Sequence, residues 1–211
     1  MGYQYLLSWG RPSFTHVMCS CDQVIYTCIN YPQNAVDRFI EIIESQKGEA
    51  GYQANPMFLL DILAIDEALG SWQDTINNKY EILRRVEGFV VENGTIRSKP
   101  PVELVFLQSA DDATRTFHDL CHDWLILSQD LTSLLKQIEH LQHSHSTYLQ
   151  ASGDGSPVNS QRPSSWPRCK DYTDSLHALS SRCQSYIRYV NNYKERTRFK
   201  IDYVSPIIQK Y

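Results

Sequence analysis

The sequence predicts an α+β fold, mostly α: a small N-terminal α/β part with a β-hairpin, then three long antiparallel coiled-coil-like helices. Three observations carry this reading. Residues 14–30, "FTHVMCSCDQVIYTCIN", are rich in β-branched and aromatic residues around a short polar break. Three later stretches repeat apolar residues in alternating steps of four and three, the signature of a helix packed along a seam. Between the last two seams lies "ASGDGSPVNSQRPSSWPR", a Gly/Ser/Pro-rich connection.

Taken in chain order, residues 14–30 read as two strands joined at Asp22-Gln23. "YPQNAVDRFIEIIESQKGEAG" then sets Val36, Phe39, Ile40 and Ile43 at helical spacing and loosens at Gly48 and Gly51. The first long helix is announced by Asn55 as a cap and Pro56 at the first helical position, where a missing N–H is harmless. Its seam is Phe58, Ile62, Ile65, Leu69, Trp72, Ile76, Tyr80, Leu83, Val86 and Val90, with Gly94 as the stop. Val102–Leu107 reads as a short strand or buried linker.

The second long helix opens with Ser109 and Asp112 in a capping-box spacing. Its seam runs Ala113, Phe117, Leu120, Trp124, Leu127, Leu131, Leu134, Ile138, Leu141, His145 and Tyr148 without a fault in register. After the loop at 151–168, a third helix capped near Asp171 carries Tyr172, Leu176, Leu179, Cys183, Tyr186, Val190, Tyr193 and Thr197, and Pro206 ends it. The chain thus reads as 1–108, the α/β part with the first long helix, and 109–211, two long helices and their loop, packed as one structural domain. Its 211 residues are enough to bury a real core.

Composition excludes several functions. With 20 basic and 24 acidic residues the net charge is -4, which leaves no electrostatic footprint for nucleic acid and no polybasic membrane patch. The tyrosines read as buried aromatics along helices, since Lys and Arg do not interleave with them as a stacking platform requires. No apolar run is long enough to span a bilayer, and "MGYQYLLSWGRPSF" lacks the parts of a signal peptide. The six cysteines are therefore expected as reduced thiols in a cytoplasmic protein.

The stretch that most resembles chemistry is "HDLCHDWLILSQDLTSLLKQIEHLQHSHSTYL", which holds five of the seven histidines. His118 and His122, four apart, are spaced to share a metal ion, but no third ligand is at hand. With Phe117, Leu120 and Trp124 inward they fall on the outer face, as do His140 and His143. His145 alone sits on the seam, near an end expected to fray. His16 with Cys19, Cys21 and Cys28 does not form a zinc pattern either. Asp61, Asp66 and Glu67 read as a solvated polar face. No nucleophile elbow, P-loop, dinucleotide fingerprint or zincin motif is present. The sequence therefore assigns no catalytic, cofactor-binding or metal-ligating residue, and no cofactor.

"SWGRPSFTHVMCSCDQVIYTCIN", then "YPQNAVDRFIEIIES", then "NPMFLLDILAIDEALGSWQDTI", followed by two heptad helices split by a Ser/Pro-rich loop, resembles the soluble N-terminal region of fungal CorA-like divalent-cation (magnesium) transporter homologues. The resemblance implies a small α/β part before long helices, the last of which leads into a membrane span. The Gly-Met-Asn signature of those transporters is missing, and the chain stops at "KIDYVSPIIQKY" before any span, so as it stands it forms no pore. No family residue carries over. The expectation is a non-enzymatic protein acting by protein–protein assembly, with itself or a membrane-bound homologue as partner, without nucleic acid and without inserting in a membrane. The alternative is an accessory protein or enzyme of small-molecule metabolism, with a pocket between the helices and the α/β part lined by tyrosines, His16 and the N-terminal cysteines.

Overall fold

The computed structural model describes residues 2–6, 12–19, 24–29, 32–46, 58–94, 110–153 and 169–208, with side chains placed at 32–45, 58–88, 111–147, 150 and 172–203. Four helices carry the fold: α1 (Gln33–Gln46), α2 (Leu59–Gly94), α3 (Ala110–Gly153) and α4 (Cys169–Ile208). Every residue with a placed side chain lies in one of them except Pro32 and Phe58. The α+β class expected from the sequence is therefore corrected: among the residues with placed side chains the protein is all-α, its described core drawn from the helices and from Phe58 at the start of α2. Strand propensity near the N-terminus is a local preference, and the core is decided by which faces pack.

The backbone of the N-terminus traces short strands β1 (Gly2–Leu6), β2 (Pro12–Cys19) and β3 (Val24–Ile29) in the antiparallel order β1-β2-β3. Its register sets Thr15 opposite Cys28 and His16 opposite Thr27, so neither His16 nor Cys19 is cross-strand partner to Cys28. Cys21, Asn55, Pro56, residues 102–107, Ser109 and most of the 151–168 loop lie outside the described residues.

The chain divides into two compact units, Met1–Trp72 with Ser133–Gln184 and Gln73–Thr132 with Ser185–Tyr211. Each of the three long helices gives one segment to each unit. In the first unit, Gln142 and His145 of α3 meet His177 and Thr173 of α4, an antiparallel order. Here α1 packs on α2 through Ala35, Leu63 and Ala64, with Phe39, Ile42 and Leu59 around them. In the second unit, Trp124 and Ser128 of α3 meet Thr197 and Asn191 of α4, again antiparallel. There α2 runs parallel to α4, since Gln73 and Glu87 meet Tyr186 and Arg196 in the same order.

Most described seam positions are buried, while Ile62, Tyr80, Tyr172 and Tyr193 are half-buried. Every α3 seam position from Ala113 to His145 is buried, and so are Leu176, Leu179, Cys183, Tyr186, Val190 and Thr197 of α4. Fully burying a Leu- or Phe-sized side chain contributes about 1.5–3 kcal/mol, so the seams outweigh any single polar contact. Thr197 occupies an apolar position because its hydroxyl is satisfied twice. It donates to the Tyr193 carbonyl at 2.7 Å and accepts from Trp124 Nε1 at 3.1 Å.

The helix ends depart from expectation. α2 starts at Leu59, later than Asn55 and Pro56 imply, and Phe58 acts as its cap by accepting from the Ile62 amide at 3.0 Å. Phe58 does so at φ 74°, a conformation that bulky residues rarely adopt and that costs roughly 1–3 kcal/mol. Its buried ring, edge-on to His145 with centroids 5.2 Å apart, offsets that strain. At the other end of the chain, α4 runs to Ile208, two residues past Pro206 and within the ordinary fraying of a helix end.

Candidate functional site: an aromatic and basic stripe on the last helix

A second seam runs along the outside of α4. Ser185, Tyr189, Asn192, Arg196, Phe199 and Tyr203 follow one another in steps of four, three, four, three and four, so they fall on one helix face. Tyr189 is 53% exposed, Phe199 67% and Tyr203 58%. Large apolar side chains displayed together on a helix mark an interaction surface more often than chance exposure does. Arg188 and Lys200 flank the same face with Arg196 on it, and Glu195, three residues after Asn192 and four before Phe199, is the one acid at its edge, so the face is basic on balance.

The stripe is mounted on a rigid base. Arg196 grips Glu87 of α2 in a two-pronged pair, Nε donating to Oε1 at 2.7 Å and Nη2 to Oε2. That bond holds the guanidinium above its ordinary pKa against the opposing effect of partial burial. Beside it Tyr193 stacks on Tyr80 with centroids 4.8 Å apart and leans on Trp124 at 5.4 Å. Burial, reinforced by Tyr80 and Tyr189, pushes the Tyr193 phenol up. Lys79 pairs with Asp123, and Tyr186 donates to Gln73 at 2.8 Å. The Arg196–Glu87 and Tyr186–Gln73 bonds thus tie α4 to α2 beneath the stripe.

The sequence reading missed this surface. It found aromatics without interleaved cations, whereas Tyr189, Phe199 and Tyr203 lie among Arg188, Arg196 and Lys200. The core seam of α4 hides the second one, which runs in a neighbouring register. Only the exposure of the side chains separates the two.

The residues singled out for chemistry are dispersed. His118, His122, His140 and His143 are exposed on the outer side of α3, while His145 is buried. The helix does not fray at His145, as was expected; α3 continues to Gly153. His145 lies between Phe58 and Tyr172, with Thr173 Oγ1 at 3.4 Å from Nδ1, and desolvation lowers its pKa. Among the described residues no group of three or more His, Cys, Asp or Glu is arranged to hold a metal ion.

The acidic trio is not the solvated face the sequence implied. Asp61 is buried. Asp66 accepts from Arg182 at 2.8 Å and from Arg38 at 3.1 Å, and Glu67 accepts from Arg38 at 3.2 Å. These carboxylates tie α1 and α4 to α2 within the first unit. Being partly exposed, each pair contributes about 0–1 kcal/mol and serves orientation more than stability. Cys183 is buried with its thiol pushed up to about 12, so it packs as a small apolar residue.

No protein-family model, no curated protein and no solved structure matches this chain. The resemblance to CorA-like transporters therefore rests on the sequence features alone. Among the described residues, no helix is long and apolar enough to cross a membrane.

Proposed function

We propose that this protein acts without catalysis, in the cytoplasm, by protein–protein contact, and that it is a relative of the soluble region of CorA-like cation transporters. The observation that carries the contact reading is the α4 stripe: three exposed aromatics and three cations on one face of a helix anchored through Arg196. Aromatic and Arg side chains are the types that dominate protein interfaces energetically, because they bury large areas with few rotatable bonds. The partner is protein rather than nucleic acid, since a chain of net charge -4 gives no broad positive field for a phosphate backbone.

Light scattering of the purified chain over a range of concentrations, with and without millimolar magnesium, tests this reading. Magnesium belongs in the test because of the transporter resemblance. A mass that rises with concentration is expected. A mass fixed at 24.4 kDa throughout, indifferent to the ion, contradicts both assembly and ion sensing.

A further inference from the structure

The assembly reading leaves the partner open, and a second helix face on this chain specifies one. On α1, Gln33, Asp37, Ile40 and Glu44 follow in steps of four, three and four, with Glu41 alongside. Asp37, Glu41 and Glu44 are all exposed, and Ile40 is 46% exposed among them. Among the described residues, the same side chains with Ser45 line one side of a groove. Arg38, the single cation of α1, is engaged with Asp66 and Glu67, so the outer face carries three carboxylates and no positive charge. Gln33 Nε2 donates to Asp37 Oδ1 at 2.8 Å and fixes that carboxylate at the start of the ridge.

This face is the counterpart of the α4 stripe in three respects. Three carboxylates answer two cations, Arg188 and Lys200, Arg196 being already paired with Glu87. One exposed aliphatic side chain, Ile40, offers apolar surface to the exposed rings. Both ridges have the four-three spacing with which helices interlock at shallow angles. Their lengths also agree: eleven residue steps from Gln33 to Glu44 span about 17 Å, and fourteen from Tyr189 to Tyr203 about 21 Å.

We propose that copies of this protein dock head to tail, the acidic outer face of α1 on one copy lying along the aromatic and basic stripe of α4 on the next. The proposal rests on the protein-contact reading above and names the partner as a second copy of this chain. The two faces differ, so the contact is heterologous, and each docked pair keeps one free face of each kind, on different copies, for further copies. A two-helix contact lies at the small end of interface sizes, below roughly 1,200 Å² in total, so the association is weak and reversible. Complementary exposed charges make it weaken with salt, since the Debye length falls from about 10 Å at 0.1 M to about 3 Å at 1 M.

Sedimentation equilibrium of the full chain and two charge-reversed variants tests it. One variant carries Glu41→Lys with Glu44→Lys, the other Arg188→Glu with Lys200→Glu; Arg196 is spared because it holds Glu87. All four positions are on the surface, so melting curves matching wild type certify the fold of each variant. The wild type is expected to associate increasingly with concentration, and each variant alone to lose at least tenfold in association constant. Mixed one to one, the variants are expected to associate again, through the intact α1 face of one on the intact α4 face of the other and through the two reversed faces, whose charges are again opposite. Should a reversal disturb folding, Phe199→Ala, which only trims an exposed ring, is expected to weaken wild-type association in the same assay. Association that survives both reversals, or a mixture that stays monomeric, overturns this docking while leaving assembly by another surface standing. A wild type that is monomeric at every concentration overturns both, and so does one that instead binds vesicles of anionic phospholipid through the stripe.

Discussion

Leu131 and Leu125 lie six residues apart on α3, and the account assigns them opposite fates. Leu131 is fully buried in the seam, whereas Leu125 is 45% exposed. Leu131→Ala removes buried methyl groups and leaves a void, a change that costs about 3 kcal/mol in well-packed cores. Leu131→Asp adds a carboxyl group at the same place. To remain folded the protein must hold that group neutral, and protonating a carboxyl of unfolded pKa about 3.9 at pH 7 costs about 4 kcal/mol, the most a raised pKa can cost there. Together with the lost packing this reaches about 7 kcal/mol, comparable to the whole stability of a domain. Leu131→Asp is therefore expected to be unfolded or molten at room temperature. Leu131→Ala should lower the melting midpoint by roughly 6–12 °C in a chain of this size. Leu125→Asp places its charge in water and should stay within about 0.5 kcal/mol of wild type. Thermal melts followed by far-ultraviolet circular dichroism separate the three. A Leu131→Asp protein that melts with wild type, or a Leu125→Asp protein that collapses, refutes the assignment of faces on α3.

His145 is buried neutral, so its folded pKa lies below the ordinary 6.5 and the unfolded state takes up the proton first. Its contribution is therefore complete above pH 6.5 and is lost progressively below it, down to the folded pKa; urea midpoints measured between pH 7.5 and 5 should fall less steeply in His145→Leu. An unchanged slope contradicts this. Cys183, with its thiol near 12, should resist alkylation in the native protein at pH 8 and react after denaturation, while partly exposed Cys121 reacts before it; peptide mapping that finds Cys183 labelled before Cys121 refutes its burial. The exposed pair His118 and His122 has no third ligand in the described residues, so the double change to Ala should alter stability by no more than about 0.5 kcal/mol. Wild-type protein should retain no zinc after dialysis, and one equivalent retained and lost on mutation overturns that reading.

The helical seams were legible because their cause is geometric: a four-three alternation kept over many turns has few explanations besides a buried face. Even His145 and Thr197, polar residues in apolar register, proved buried, because an imidazole between two rings and a hydroxyl with two partners meet their polar needs locally. The fold class was misread where local propensity stood in for packing. β-branched residues near the N-terminus indicate what the backbone tolerates, whereas the core is assembled by α1 through α4. The start of α2 was obscured by a Phe in the left-handed region, which no propensity scale favours. Asp61 and Asp66 were misjudged because their environments are made by residues distant in sequence, Arg38 and Arg182 for Asp66. The α4 stripe was invisible for a related reason: an amphipathic pattern does not reveal how many faces its neighbours cover.

The central claim is that the outer face of α4 is a contact surface, and replacing its aromatics while leaving its core untouched tests that most directly. Tyr189, Phe199 and Tyr203 are exposed, so changing all three to Ser should preserve the fold. Sedimentation velocity of this triple variant beside the wild type, at matched concentrations, is the decisive comparison. The account predicts that the wild-type boundary moves faster as concentration rises and that the variant sediments as a monomer throughout. Identical, concentration-dependent sedimentation of the two proteins would contradict it.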